Sequence, residues 1–198
     1  MTHPTLRQLT GMPDQPAALA ESTLIMIDCQ NTYTRGVMEL EGVQAALDEA
    51  AELLDRARQA GIPIFHIMHE GGADTPYDTA AEIGRIVDRV APRDGEPVIV
   101  KNYPNAFTET DLHQQLTAAP GRDLILAGFM THMCVNSTAR GAFSLGYRPA
   151  VVAAATATRA LPSLSGSAVS AADLQVASLA AISDMFGVVV RKTADIPG

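Results

Sequence analysis

Short apolar runs alternate along the chain with longer segments in which apolar residues recur at helical spacing. The runs lack the apolar–polar alternation of a half-exposed strand, and this pattern is typical of strands covered on both faces of a parallel sheet. Six of these runs are predicted to be strands: residues 23–28, 62–68, 97–101, 123–128, 150–155 and 187–190.

The segments between the runs predict helices. Residues 43–61 are the clearest case, because Leu47, Leu53, Leu54 and Ala57 lie on one face and Gly61 supplies a C-terminal stop. Further helices are predicted at 80–90, 110–118, 135–146 and 167–186. This alternation predicts an α/β fold with a single doubly wound, six-stranded parallel sheet, Rossmann-like, with helices on both faces. We expect a single domain over residues 1–198, with 1–20 as a loose N-terminal segment.

Composition narrows the class of protein. The chain has 198 residues, 47% of them hydrophobic and 18% charged, so it is neither disordered nor a coiled coil. The formal net charge is −8 and the sequence holds no cluster of Lys and Arg, so we expect no nucleic-acid partner. Two cysteines do not make a disulfide framework.

Targeting and cofactor motifs are also missing from the sequence. The N-terminus lacks the cationic start and apolar core of a signal peptide, and no apolar run reaches the length of a membrane span. No G-x-G-x-x-G motif is present. We therefore expect a cytoplasmic protein with reduced thiols, without a membrane partner or a nucleotide cofactor.

Polar residues follow four of the predicted strands. They are Asp28, His69 with Glu70, Lys101 and Cys134. The carboxyl ends of parallel strands share one edge of a sheet, where ligands bind. The sequence therefore predicts that these side chains meet.

Cys134 is the candidate nucleophile of this set. The partial positive charge of a helix N-terminus favours a thiolate, so we expect the pKa of this thiol to be depressed. Asp28 is a candidate base and Lys101 a candidate electrostatic partner. Each of these residue types, taken alone, more often has a structural than a catalytic role. The prediction of a catalytic site therefore rests on their combination. Cys29 competes as nucleophile, but strand alternation turns it to the face opposite Asp28.

Two histidines raise the question of a metal. His66 and His69 are three residues apart on a predicted strand, so they point to opposite faces and do not easily chelate one ion. We predict no metal site, with His66 in the core and His69 lining the pocket.

Three segments resemble the isochorismatase-like cysteine hydrolases, which include nicotinamidases and N-carbamoylsarcosine amidohydrolase. They are IDCQNTY (27–33), VKNYPNAF (100–107) and AGFMTHMCVNSTARGAFSLGY (127–147). Their order and spacing together are more specific than any one of them, and the resemblance runs from about residue 24 to residue 190.

The resemblance implies a catalytic triad of Asp28, Lys101 and Cys134. It also implies an oxyanion hole formed by the backbone N–H groups of Met130 and Cys134, with a cis peptide bond between Phe129 and Met130. Substrate contacts are assigned to Tyr33, His69, Tyr103 and Phe107. Loops 33–41 and 71–79 are expected to shape the pocket.

The chain also departs from one branch of the family. Nicotinamidases carry an Asp-x-His…His metal cluster after the second strand, and residues 65–78 lack it. The sequence therefore favours a metal- and cofactor-independent cysteine hydrolase that cleaves a C–N bond of a small molecule through an acyl-enzyme on Cys134. A vinyl-ether hydrolase with Asp28 as general acid, and a non-enzymatic binding or scaffold subunit, remain alternatives. We further expect a homo-oligomer, either a dimer or a tetramer.

Overall fold

A computed structural model of the protein describes residues 3–119 and 121–198. Its strands are β1 Ser22–Ile27, β2 Ile64–His69, β3 Val98–Lys101, β4 Asp123–Phe129, β5 Arg148–Ala157, β6 Leu161–Pro162, β7 Ala168–Val169 and β8 Val188–Val190. Six of them form one parallel sheet in the order β3-β2-β1-β4-β5-β8. The predicted six-stranded parallel α/β fold is confirmed. The short β6 and β7 pair with each other, antiparallel and apart from the main sheet.

Helices cover both faces of this sheet. They are α1 Leu6–Leu9, α2 Val43–Ala60, α3 Leu112–Thr117, α4 Asn136–Ser144 and α5 Ala171–Ala181. On β1, Leu24 and Met26 pack in the core under α2, whereas Ile25 and Ile27 pack in the core under α3 and α4. A strand buried on both faces explains why β1 is apolar at successive positions.

The prediction of a helix at residues 80–90 is wrong. This region contains two short 3₁₀ turns, Glu82–Gly84 and Asp88–Val90, joined by extended backbone. The extended part is held by tertiary hydrogen bonds, because Val87 N donates to Cys29 O and Asn31 N donates to Arg85 O. Pairing with the chain after β1 therefore overrides the local preference for a helix.

Two other predicted helices are shorter in the structure. The segment predicted at 135–146 begins as α4 only at Asn136, after a π-helical turn at Thr131–Val135. The segment predicted at 167–186 begins at Ala171, where the Ser170 side chain accepts a hydrogen bond from Asp173 N, and it ends in a second π-helical turn at Ile182–Phe186. Cys134 therefore lies in a π-helical turn and not at the first residues of a regular α-helix.

The N-terminal segment makes contacts with the domain. Arg7 is buried, and its guanidinium donates hydrogen bonds to Met185 O and Pro13 O. Leu6 N donates to the Asp184 carboxylate. These contacts hold α1 against the π-helical turn that follows α5; the single domain with a loose segment at 1–20 stays a prediction.

Candidate active site

The order of the strands reverses between β1 and β4. From β1 the sheet continues through β2 to β3 on one side, and from β4 through β5 to β8 on the other. Ligands in open α/β sheets bind beyond the strand ends at such a switch point. Asp28 follows β1 and Met130 follows β4, so the chain places Asp28 and the segment that leads to Cys134 at this position.

Gly128 allows β1 and β4 to approach closely at the switch point. It pairs with Ile27, and its φ of +119° is rarely adopted by L side chains. A Cβ atom at this position would overlap the Ile27 carbonyl. The glycine therefore permits the close spacing that brings the ends of the two strands together.

The Asp28 carboxylate is completely buried. Its backbone has a φ of 48°, in the left-handed region, where Asp is tolerated better than most residues. Asp28 N donates to Ile67 O, and Asp28 O accepts from Gln30 N. Neither carboxylate oxygen has a hydrogen bond of good geometry with a residue that the structure describes. Its Oδ2 instead forms an ion pair with the Lys101 ammonium.

Lys101 contacts both of the other predicted catalytic residues, Asp28 and Cys134. It ends β3, and its side chain crosses the end of β2 to place Nζ 2.8 Å from Asp28 Oδ2 and 3.4 Å from Cys134 Sγ. The same ammonium lies 3.3 Å from His69 Nδ1. The structure thus brings Asp28, Lys101 and Cys134 together from three strand ends, as the sequence predicted.

Cys134 is buried, with 5% of the residue exposed. Burial raises its pKa well above the ordinary value, and the negative charge of Asp28 raises it further, while Lys101 opposes both effects. The expected depression of the pKa is therefore wrong in direction. Burial and the charge of Asp28 thus favour the protonated thiol over the thiolate.

The segment between β4 and Cys134 contains one backbone feature that the resemblance implies. The peptide bond between Phe129 and Met130 is cis. In the turn that follows, Met133 N and Val135 N both donate to Met130 O. These two hydrogen bonds do not engage the N–H groups of Met130 and Cys134, which are the two candidates for an oxyanion hole.

Two of the predicted substrate contacts lie next to the three catalytic candidates. His69 contacts Lys101, and burial together with the Lys101 charge lowers the pKa of its imidazole. Tyr33 is buried, with its ring edge-to-face against Phe129 and its hydroxyl 3.4 Å from that of Tyr77. Burial, with the nearby charge of Asp28, raises the pKa of Tyr33. Tyr33 therefore supports the wall of the site from within the core.

The other two predicted substrate contacts, Tyr103 and Phe107, lie in different parts of the fold. Tyr103 is 43% exposed on the loop after β3, two residues beyond Lys101. Phe107 instead stacks on Tyr147, with ring centroids 5.8 Å apart, and Tyr147 immediately precedes β5. The start of β5 lies at the edge of the sheet opposite the strand ends that carry Asp28 and Lys101. The assignment of Phe107 to substrate binding therefore has no support in its position.

Gln30 and Tyr77 also lie next to His69, and the sequence analysis assigned a role to neither residue. The buried Gln30 side chain hydrogen-bonds both His69 N and His69 O, at 2.9 Å each, and also donates to Gly84 O. Tyr77 packs edge-to-face on His69 with centroids 5.0 Å apart. Gln30 lies within the IDCQNTY segment, so that motif signalled its importance, whereas Tyr77 lies in the 71–79 loop without a comparable signal.

The remaining candidates lie apart from the three catalytic candidates. His66 is buried, and its Nε2 lies 2.9 Å from Glu96 Oε2. Cys29 is buried in the core under α2, and burial followed by the charge of Asp28 raises the pKa of its thiol. Among residues 3–119 and 121–198, no three His, Cys, Asp or Glu side chains cluster in a way that could hold a metal ion. The absence of a metal requirement stays a prediction.

Comparison with known proteins identifies the family. The isochorismatase domain model matches residues 22–194. A secreted isochorismatase effector of Verticillium dahliae is 33% identical, over 94% of this chain and 96% of the relative. A maleamate amidohydrolase of Pseudomonas putida is 33% identical, over 65% of this chain and 68% of the relative.

A solved structure extends the match to the whole fold. The crystal structure of an isochorismatase from Pseudomonas putida KT2440 superposes with a TM-score of 0.94 at 38% identity, and it covers 98% of this chain and 100% of its own. The resemblance inferred from three short segments is thus confirmed over nearly the full length. The chain belongs to the isochorismatase family and is a hydrolase of that family.

Proposed function

We propose that the protein is a cysteine-dependent hydrolase that cleaves an amide or carbamoyl C–N bond of a small molecule. The observation that carries this proposal is the position of Lys101 Nζ, 2.8 Å from Asp28 Oδ2 and 3.4 Å from Cys134 Sγ. One buried cation thus contacts both the candidate nucleophile and the candidate base. The similarity to a maleamate amidohydrolase supports the same chemistry.

In the proposed first step, Cys134 attacks the substrate carbonyl while Asp28 accepts the thiol proton. A thiol with a raised pKa suits this order, because proton transfer and attack then occur together. Lys101 stabilises the anionic charge that passes between sulfur and carboxylate. The backbone N–H groups of Met130 and Cys134 donate to the tetrahedral oxyanion, each typically worth about 3 kcal/mol.

In the second step, Asp28 returns the proton to the nitrogen that leaves as ammonia or an amine, and the C–N bond breaks. A water molecule then attacks the thioester on Cys134, with Asp28 as its base. The products are a carboxylic or carbamic acid and the free thiol. This sequence uses no metal and no cofactor.

The isochorismatase relatives favour a second candidate, hydrolysis of a vinyl ether with Asp28 as general acid. In that reaction Asp28 protonates the substrate and Cys134 forms no bond. The alternative of a non-enzymatic scaffold is not retained, because the chain belongs to a family of hydrolases and its nucleophile and base lie together.

Two variants distinguish the enzymatic candidates. Cys134→Ala should lose all activity on primary amides and N-carbamoyl compounds, whereas Asp28→Asn should be slower by about 10²–10⁴-fold. Cys29→Ala is the matched control and should stay within a few-fold of the wild type. Mass spectrometry of the quenched reaction should detect an acyl adduct on Cys134. A Cys134→Ala enzyme active on amides would contradict the mechanism, and one active only on isochorismate would establish the second candidate.

Location and assembly belong to the same proposal. None of the helices in the described part of the chain has both the length and the apolar character needed to cross a membrane. We propose a cytoplasmic homo-oligomer that acts on a small molecule, although one relative is named as secreted. Fractionation and light scattering would test these two points.

A further inference from the structure

A cavity of about 250 Å³ lies at the edge of the sheet opposite the three catalytic candidates. One side of it is formed by the amino ends of two neighbouring strands, where Asp123 begins β4 and Arg148 begins β5. Since β4 runs from Asp123 to Phe129, about 20 Å of strand separates this cavity from the turn that carries Cys134. The cavity is therefore distinct from the candidate active site.

Two aromatic rings line the cavity, those of Phe143 and Tyr147. Tyr147 is buried, stacks on Phe107 and places its hydroxyl 3.0 Å from His113 Nδ1. Phe143 packs edge-to-face on Phe186, with ring centroids 5.7 Å apart. Because both rings are held by their neighbours, this apolar wall is formed before any ligand binds, as is usual for small-molecule sites.

The N-terminal segment covers the cavity. It contributes lining residues between 12 and 17, and two of them, Pro13 and Pro16, have a fixed backbone φ. Arg7 holds this segment, because its carbonyl oxygen accepts from Met12 N and its guanidinium donates to Pro13 O. The same guanidinium donates to Met185 O, beyond α5. Arg7 thus ties the covering segment to the domain, and it lines the cavity itself.

Arg7 is a buried cation without a carboxylate partner in the described part of the chain. Only 8% of the residue is exposed, its Nε makes no hydrogen bond there, and it takes part in none of the ion pairs found there. Burial lowers the pKa of Arg7, and the charge of Asp14 opposes this effect. A buried N–H group and a buried positive charge both favour an anionic acceptor.

The acidic side chains that line the cavity do not supply this acceptor. The Asp123 carboxylate already accepts two hydrogen bonds from Arg148. Glu21 is exposed, so water screens its charge. Among residues 3–119 and 121–198, the cavity therefore combines an apolar wall with a buried guanidinium that has no carboxylate beside it.

We propose that this cavity binds a small carboxylic acid with an apolar body, separately from the hydrolysis at Cys134. The carboxylate accepts hydrogen bonds from the Arg7 guanidinium, and the apolar body lies against Phe143 and Tyr147. If each atom takes about the 30 Å³ of a water molecule, the cavity holds roughly eight to ten non-hydrogen atoms. Because Arg7 Nε is shielded in the structure, residues 12–17 shift outwards when the acid binds.

Titration with benzoate, a carboxylate on an apolar ring, provides the first test. Benzyl alcohol has the same ring without the charge and is the matched comparison. In amide NMR spectra of the full chain, benzoate should shift signals within residues 12–17 and 143–150. Arg7→Gln should weaken benzoate binding by about tenfold or more and leave benzyl alcohol binding within a few-fold, and Arg7→Lys should retain part of the preference. Arg35→Gln, at an exposed position after β1, is the control and should bind both compounds as the wild type does.

Filling the cavity provides a second test that leaves Arg7 in place. Ala17 lines the cavity, so Ala17→Leu should abolish the binding of both compounds, whereas Ala20→Leu, at an exposed position, should not. This pair decides the question if Arg7→Gln does not fold. The site would be refuted by a wild type that does not bind benzoate, by shifts confined to residues near Asp28 and Cys134, or by unweakened binding to a folded Arg7→Gln or Ala17→Leu protein. None of these results depends on whether the protein hydrolyses amides.

Discussion

Lys101 Nζ lies 2.8 Å from Asp28 Oδ2, and neither side chain is exposed to solvent. The two residues come from strands that are separated by β2 in the sheet. Removing one partner leaves the other charge buried and uncompensated. We therefore expect Lys101→Met to lower the free energy of unfolding by about 3–5 kcal/mol in urea titrations.

A double variant tests whether this cost comes from the unpaired charge. Asp28→Asn combined with Lys101→Met should recover much of the stability lost in Lys101→Met alone. The exposed pair of Arg89 and Asp48 gives the control, and Arg89→Met should cost less than about 1 kcal/mol. Equal losses from Lys101→Met and Arg89→Met would contradict the assignment of a buried ion pair.

The raised pKa of Cys134 predicts how its reactivity depends on pH. Burial and the charge of Asp28 disfavour the thiolate, so the folded protein binds the thiol proton more tightly than the unfolded chain does. The rate of alkylation by iodoacetamide should therefore keep rising up to pH 9, without a plateau near neutrality. In Asp28→Asn the rise should shift to lower pH. A plateau below pH 7.5 in the wild type would show instead that the pKa of the thiol is depressed.

Glu96 should make the stability of the protein sensitive to acid. Burial alone would raise the pKa of Glu96, but hydrogen bonds from Arg58, the Arg93 backbone and His66 lower it to about 2. A carboxyl group with a depressed pKa in the folded state stabilises the fold above its ordinary pKa, and this contribution is lost as the pH falls towards 2.

The variant Glu96→Gln measures this contribution. It should lower the free energy of unfolding by about 2–3 kcal/mol at pH 7, and the difference from the wild type should shrink between pH 5 and pH 2. Glu52→Gln, at an exposed position on α2, should show little change at either pH. A difference between Glu96→Gln and the wild type that does not depend on pH would contradict the depressed pKa.

The meeting of Asp28, Lys101 and Cys134 could be predicted because the ends of parallel strands share one edge. The direction of the Cys134 pKa shift could not be predicted, because it depends on burial and on the distance to Asp28. Neither quantity is visible in a sequence. The 80–90 region was misassigned because its conformation depends on a hydrogen bond from Val87 to Cys29, which is a contact distant in sequence.

Gln30 gives the last prediction, because its side chain replaces strand pairing after β1 ends. One amide group satisfies His69 N, His69 O and Gly84 O, and it is buried while it does so. Gln30→Ala would leave these three backbone groups without partners, so we expect a loss of about 2–4 kcal/mol in urea titrations. Gln30→Glu keeps the shape but loses both donors to the carbonyls, and it should be at least as destabilising. The exposed side chain of Asn31 makes a single hydrogen bond, to Glu82 O, so Asn31→Ala should cost less than about 1.5 kcal/mol. If Gln30→Glu were as stable as the wild type, the two hydrogen bonds to His69 O and Gly84 O would not matter, and packing alone would explain the position of His69 beside Lys101.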